Sequence, residues 1–166
     1  MHRLIFVVLL FAVGALISGK RQVSSSEVKQ EGSSIVVEEL PYTLEEVIAA
    51  MIDVESYGRN DFAVGDLNRE EKAYGCLQAR QPAVNDYNKW NETSHQAKDC
   101  LGNRTLSVTI CKWYLGYYAT EKRLGRKPTS EDLVRIWNGG PNGYKKSDTL
   151  DHWEKVKKTL AKQREQ

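Results

Sequence analysis

The stretch TLEEVIAAMIDVESYG (residues 43–58) decides how the first part of the chain folds. Thr43 followed by Glu46 is a capping box, which predicts a helix that begins near Leu44. From there, apolar residues recur at the three- and four-residue spacing of one helix face, at Leu44, Val47, Ile48, Met51 and Ile52. The helix should end by Gly58. Glu55 occupies the next position of this apolar face, where another apolar side chain would be expected.

The position of Glu55 has a chemical consequence. A carboxyl group that is partly desolvated has its charged form disfavoured, so its pKa rises. A carboxylic acid that is still protonated near neutral pH can act as a general acid. Two structural alternatives compete with this reading: Glu55 leans out into solvent, or it pairs with Arg59 or Arg135. The helix pattern alone does not decide among them.

A second carboxylate follows eleven residues later. Asp66 stands after a glycine in the segment AVGD, in a polar and hydrated loop. Cleavage of a glycosidic bond needs two carboxyl groups in contrasting environments. One protonates the leaving oxygen, while the other stays ionised and supports the positive sugar centre or directs water to it. Glu55 and Asp66 are therefore candidate catalytic residues.

The N-terminal segment predicts export from the cytosol. Residues 1–19 have a basic start, a short apolar run and small residues behind it, which is the layout of a secretory signal peptide; an uncleaved membrane anchor is the alternative. Residues 20–40 are rich in Ser, Glu and Lys and predict a flexible lead-in. We therefore expect one catalytic domain over residues 41–160, a basic tail over 161–166, and a secreted protein (periplasmic in a bacterium) without stable membrane association after cleavage.

Charge is unevenly distributed along the chain. Residues 20–111 carry 10 basic and 15 acidic side chains, whereas residues 112–166 carry 13 and 7. The basic half could face an anionic polymer such as a cell wall, or it could be an ordinary solvated surface. The basic C-terminal stretch has no interleaved aromatic residues, so no nucleic-acid partner is predicted.

Three cysteines allow at most one disulfide bond and leave one free thiol. We expect a bridge between Cys100 and Cys111, although the sequence alone does not choose the pair. There is no CxxC motif and no histidine cluster, so neither a metal site nor a cofactor is predicted.

The remaining elements are mostly helical. The segments FAVGD and AYGCLQA predict a small hairpin, and Pro82 opens a short helix through Trp90. A central buried helix should carry Leu106, Ile110, Trp113, Tyr114 and Tyr117 on one face. A further helix, capped by Thr129 or Ser130, should end at Gly139 and Gly140, and a last one begins near Thr149. The predicted fold class is mainly α (α+β), a helical domain with a small β-hairpin.

Three blocks of sequence resemble the lysozyme-like glycosidases: VESYGRNDFAVGD, AYGCLQA and RIWNGGPNGYKKSDTLDHWEKV. The last block is closest to the invertebrate-type lysozymes, whose pattern there is an Arg, an Asn-Gly-Gly-Pro turn, a Thr and a Tyr/Phe-Trp pair. The first two blocks are also similar to soluble lytic transglycosylase (SLT) domains. The resemblance implies a lysozyme-like fold in which the hairpin lies beside an active-site cleft.

The resemblance also implies roles for individual residues. It makes Glu55 the general acid and Asp66 the second carboxylate. The other positions implied in substrate binding come from the second and third blocks: Tyr74, Gln78, Asn138, Gly139, Gly140 and Tyr144. Trp137 could stack on a sugar ring or belong to the core. The chain departs from the invertebrate-type pattern in having few cysteines and in placing Trp137 where a histidine commonly stands.

Three functions remain to be compared. The first is a secreted, antimicrobial-type muramidase that hydrolyses the β-1,4 bonds between N-acetylmuramic acid and N-acetylglucosamine in peptidoglycan glycan strands. The second is a lytic transglycosylase that relies on Glu55 alone. The third is a non-catalytic protein that binds wall glycans or chitin.

Overall fold

The computed structural model describes residues 42–56 and 60–165. The predicted signal peptide and lead-in, together with Gly58 and Arg59, lie outside the described residues. The described part is mainly helical, as the sequence predicts. Its elements are, in chain order, α1 (Leu44–Glu55), β1 (Val64–Gly65), β2 (Ala73–Tyr74), α2 (Gln81–Asn91), α3 (Arg104–Tyr118), α4 (Glu121–Leu124), α5 (Ser130–Gly139) and α6 (Leu150–Arg164). Short 3-10 helices lie at Ala97–Cys100, Gly143–Lys145 and Ser147–Thr149.

Side-chain caps mark the beginning of α1 and of α5. Oγ1 of Thr43 accepts a hydrogen bond from the backbone N–H of Glu46 at 3.2 Å, and Oε2 of Glu46 accepts one from the N–H of Thr43 at 2.6 Å. This is the predicted capping box of α1. Thr129 rather than Ser130 is the N-cap of α5, in a second capping box with Asp132. These contacts satisfy backbone donors that the first turn of a helix otherwise leaves unpaired.

The hairpin is small and antiparallel. Val64 lies opposite Tyr74, Gly65 lies opposite Ala73, and Tyr74 also bridges to Ala79. The polar loop between the strands begins at Asp66. The predicted β element is therefore confirmed at the predicted place.

The core lies where α1, α3, α5 and α6 pack together, and the apolar face of α1 predicted from its spacing is buried in it. Val47, Ile48, Met51 and Ile52 are all buried, and they pack in one cluster with residues of the other three helices. A second cluster joins α2, α3 and the 3-10 helix at Ala97–Cys100. Burial of an aliphatic side chain of this kind stabilises the fold by about 1.5–3 kcal/mol.

The buried stripe of α3 differs from the predicted one. Ile110 and Tyr114 are buried as expected, but Tyr117 is 44 % exposed, and Ser107, Cys111 and Leu115 complete the buried face instead. Trp113 stacks on Tyr117, with ring centroids 5.3 Å apart, and meets the ring of Tyr87 edge-on. The aromatic residues thus lie at the interface between α2 and α3. The spacing of residues within one helix does not reveal such an interface.

The expected Cys100–Cys111 disulfide is wrong. All three cysteines are free thiols, and all three are buried. Cys76 and Cys111 belong to the core cluster around α1, whereas Cys100 belongs to the second cluster. The two residues expected to form the bridge therefore pack in different parts of the interior.

The C-terminal helix reaches into the segment expected as a basic tail. It continues through Arg164, so residues 161–164 of the expected basic tail are helical. Nε2 of Gln163 donates a hydrogen bond to Oδ2 of Asp53 at 2.9 Å, and the guanidinium of Arg164 lies 4.1 Å from the centre of the Tyr42 ring. These contacts hold the end of α6 against α1. No helix within 42–56 and 60–165 has the length and hydropathy needed to cross a bilayer.

We expect Gly143→Ala to lower the free energy of unfolding by about 3 kcal/mol, because there is no room for an added methyl group at this position. A Cβ at Gly143 would collide with the backbone carbonyl of Arg135 in α5. Urea denaturation measures the effect. Gly116→Ala is the matched control, since nothing lies within 4 Å of a Cβ there. It sits inside α3, where alanine should stabilise the helix by about 0.5–1 kcal/mol. Equal stability of the two variants would contradict this packing.

Candidate active site

A cleft of about 960 Å³ opens between the end of α1, the hairpin and the α5–α6 connection. Six of the residues predicted for the site line it: Glu55, Asp66, Gln78, Asn138, Gly139 and Gly140. The structure thus brings residues from distant parts of the chain to one cavity. Tyr74 and Tyr144 are not among the residues that line it.

Glu55 is the last residue of α1, and its side chain is only 16 % exposed. Burial raises the pKa of this carboxyl to about 7. The charges of Arg80 and Lys155 oppose the rise in pKa, and the charge of Asp66 adds to it. The low exposure of Glu55 excludes the alternative in which its side chain leans into solvent. It does not pair with Arg135 either, because Arg135 pairs with Glu131. Near neutral pH a large fraction of the Glu55 carboxyl groups carries a proton.

Asp66 lies in a different environment. It follows β1 with a φ of 55°, a left-handed conformation that Asp tolerates better than most residues. Its side chain is 23 % exposed. One carboxylate oxygen pairs with Nη2 of Arg80, and the other lies 3.7 Å from Nε of Arg69. Two guanidinium groups therefore balance its negative charge, whereas Glu55 is surrounded mainly by protein interior.

Gln78 lines the cleft and holds the hairpin together. Its backbone is left-handed, with a φ of 49°. Its Nε2 donates to the carbonyl oxygens of Gly75 at 2.9 Å and Ala63 at 3.3 Å. A Cβ at Gly65 would collide with its Oε1. Gln78 therefore shapes the wall of the cleft on the hairpin side.

The Asn-Gly-Gly turn forms the opposite wall. Gly140 has a φ of 83°, which ends α5. The carbonyl of Gly139 accepts a hydrogen bond from Nζ of Lys146 at 2.7 Å. A Cβ at Gly139 would meet the methyl group of Thr149. Thr149 is itself buried and donates from Oγ1 to the carbonyl of Gly143 at 2.9 Å. Glycine is thus required at 139 by close packing of the turn on Thr149.

Trp137 connects α5 to the segment that follows the hairpin. Its Nε1 donates to the carbonyl of Leu77 at 3.0 Å, and its ring meets Tyr114 edge-on with centroids 5.7 Å apart. It lines the cleft, but its main contacts are with the protein. Of the two roles considered for Trp137, the structure shows the packing role.

The two predicted tyrosines pack elsewhere. Tyr74, on β2, is partly buried against the second apolar cluster. Tyr144 packs against the main core, and Nζ of Lys145 lies 5.2 Å from the centre of its ring. Their role in substrate binding stays a prediction without support from the cleft lining.

Three residues of the site were missed in the sequence. Arg80 and Lys155 line the cleft and act on Glu55, and Nε2 of His152 lies 3.2 Å from Oε1 of Glu55. A signal for His152 exists, since it stands four residues before Val156 and eight before Leu160, both of which are buried. Helical spacing therefore places it on the inner face of α6. Within 42–56 and 60–165, no group of three or more His, Cys, Asp or Glu is arranged to hold a metal ion.

Comparison with solved structures identifies the fold as lysozyme-like. The chain is similar to lysozyme of Tapes japonica, with 25 % identity over 68 % of this chain and 86 % of that one, at a TM-score of 0.57. It is also similar to lysozyme of Meretrix lusoria, in an inhibitor-bound structure and in one with Aeromonas hydrophila PliI. Both give 22 % identity over 69 % of this chain and 88 % of the other, also at 0.57.

These neighbours confirm the resemblance to invertebrate lysozymes at the level of the fold. No family model matches the sequence, and no curated protein matches it.

The raised pKa of Glu55 predicts a pH-dependent stability. The carboxyl has a pKa of about 7 in the folded protein and 4.5 as the ordinary value. The folded state therefore binds more protons between these pH values, and the contribution of Glu55 to stability is lost as the pH rises through 7. Relative to Glu55→Gln, which does not titrate, the wild type should lose about 3 kcal/mol between pH 4 and pH 8. Urea denaturation of both proteins at these two pH values measures it. A constant difference would contradict the burial of the carboxyl.

Proposed function

We propose that this protein is a secreted muramidase that hydrolyses the β-1,4 bonds between N-acetylmuramic acid and N-acetylglucosamine in peptidoglycan. Glu55 is the general acid and Asp66 is the second carboxylate. The observation that carries the proposal is the contrast between these two groups in one cleft. Burial raises the pKa of Glu55 to about 7, while the carboxylate of Asp66 lies next to two arginine side chains.

The contrast suits the chemistry of the reaction. Glu55 donates its proton to the glycosidic oxygen as the bond to the anomeric carbon breaks. The negative charge of Asp66 supports the positive charge that develops on the sugar ring. The ionised Glu55 can then take a proton from the attacking water, which returns it to the acid form. A pKa near the working pH lets one group serve both steps.

The size and charge of the cleft suit an acidic glycan strand. Its volume is about 960 Å³, and its lining includes Gln78 of the hairpin side and the Asn-Gly-Gly turn. Cationic side chains at Arg69, Lys146 and Lys155 line it together with the carboxylates. Peptidoglycan strands carry lactyl and peptide carboxylates, which such cations can attract. Export, argued from the predicted signal peptide, would bring the protein to its substrate.

Product analysis tests the proposal. Purified peptidoglycan is incubated with the protein, and the soluble fragments are examined by reducing-end assay and mass spectrometry. We expect fragments with new reducing N-acetylmuramic acid ends. Binding to the wall without release of fragments after long incubation would contradict the proposal and favour a non-catalytic glycan-binding protein.

One observation favours a second candidate, a lytic transglycosylase. Arg80 and Arg69 offset the charge of Asp66, which weakens its support for a positive sugar centre. In a transglycosylase, Glu55 acts alone and a hydroxyl of the sugar itself closes on the anomeric carbon. Fragments with anhydro ends in the same mass spectra would show that the protein is a lytic transglycosylase and not a hydrolase.

A further inference from the structure

His152 has an unusual environment for a histidine. It lies on α6, its side chain is only 13 % exposed, and it lines the cleft beside Glu55. Its Nε2 is buried and has no partner in hydrogen-bonding geometry within the described chain, yet it lies 3.2 Å from Oε1 of Glu55. A buried polar atom without a partner is costly. A small rotation of either side chain would align this contact.

We propose that His152 is a positioning residue for Glu55, whose Nε2–H donates to Oε1 of the carboxyl and so leaves the acid proton on Oε2. This inference rests on the proposed general-acid role of Glu55 and deepens it. When Glu55 has given its proton to the leaving sugar, the same N–H stabilises the carboxylate that remains. His152 thus acts through Glu55 and does not itself exchange a proton with the substrate.

The protonation state of His152 suits this role. Burial, and to a smaller extent the charge of Lys155, lower the pKa of the ring below its ordinary value. The ring is therefore neutral at pH 7, with one N–H to donate and one nitrogen free to accept. The groups that face Glu55 are His152 and Lys155 from α6, Asp66 and Arg80 from the hairpin side, and the thiol of Cys111 from α3. Because Glu55 and His152 are in contact, their titrations are coupled.

The first test compares variants of His152 in enzyme kinetics with a soluble peptidoglycan fragment. His152→Phe keeps a ring but removes the donor, and we expect kcat to fall about 10- to 100-fold, as for loss of a hydrogen bond to a charged group, with little change in KM. The alkaline limb of the pH profile should move to higher pH, since the carboxylate loses a stabilising donor. His152→Gln, which retains an N–H donor, should restore most of kcat.

His95→Phe is the matched control, because His95 lies in the loop before Ala97 and approaches the ring of Tyr87 rather than the cleft. It should behave as the wild type. A His152→Phe variant with wild-type kcat and pH profile would overturn the proposal. So would equal loss in His152→Phe and His152→Gln, which would reduce the role of His152 to packing.

The second test needs neither turnover nor a His152 variant. Long-range ¹H–¹⁵N NMR of the ring reports which nitrogen carries the proton and how it titrates. We expect the Nε2–H form at pH 8 and a second inflection in the ring shifts near pH 7, where Glu55 ionises. In Glu55→Gln this inflection should vanish. An Nδ1–H ring, or a titration unaffected by Glu55→Gln, would overturn the pairing even if the protein hydrolyses peptidoglycan. Conversely, an intact pairing in a protein that releases no sugar would refute only the proposed function.

Discussion

Glu55→Gln is expected to lower the rate of peptidoglycan hydrolysis by roughly 10³- to 10⁴-fold, the upper part of the range for loss of a general acid. The amide keeps the size of the carboxyl but cannot protonate the glycosidic oxygen. The variant should fold, and above pH 7 it should be more stable than the wild type, because a buried charge is removed. Clearing of a peptidoglycan suspension and the release of reducing ends measure the rate.

Glu154→Gln is the control for this experiment. Glu154 lies on α6 only two residues after His152, but it is 56 % exposed and its contact is a surface pair with Lys157. The variant makes the same change from carboxyl to amide and should keep the wild-type rate. A folded Glu55→Gln protein that retains more than about a tenth of the activity would contradict the role of Glu55.

Asp66→Asn should lower hydrolysis by about 10²- to 10³-fold, because the developing positive charge on the sugar loses its anionic support. A second effect has a definite sign. Since the charge of Asp66 raises the pKa of Glu55, its removal should lower that pKa and move the alkaline limb of the pH profile to lower pH. The rate at several pH values, determined with the same reducing-end assay, shows both effects.

Asp151→Asn is the control, since Asp151 is exposed in the first turn of α6. If Asp66→Asn left the hydrolytic rate unchanged, the two-carboxylate mechanism would be wrong. Glu55 alone would then have to carry the activity of the cleft.

Local patterns predicted most of the fold because they depend on neighbouring residues. The capping box at Thr43, the apolar face of α1 and the turn after α5 involve contacts within a few residues, and all three are present. The stripe on α3 was partly mispredicted because Tyr117 packs beside the exposed ring of Trp90 on α2 and not in the core, which is a contact between segments. The Cys100–Cys111 bridge failed for the same kind of reason, since the two thiols pack in separate clusters.

The site was predictable only in part. Glu55 departs from the apolar pattern of its own helix, and that departure is visible in the sequence. Arg80, His152 and Lys155 come to it from later segments, so their positions depend on how α6 and the hairpin pack on α1. The pairing of Asp66 with Arg80 likewise joins the loop of the hairpin to the residue that precedes α2. Such long-range contacts determine the electrostatics of the cleft, and no local pattern encodes them.

The titration of the Glu55 carboxyl is the most direct test of the central claim, that this cleft holds a protonated acid near neutral pH. Carbon-13 NMR of protein labelled at glutamate side-chain carboxyls follows it, and the signal absent from Glu55→Gln assigns the resonance. We predict a midpoint near pH 7. A midpoint near the ordinary value of 4.5 would mean that the group is ionised at neutral pH, and the general-acid mechanism would then be untenable.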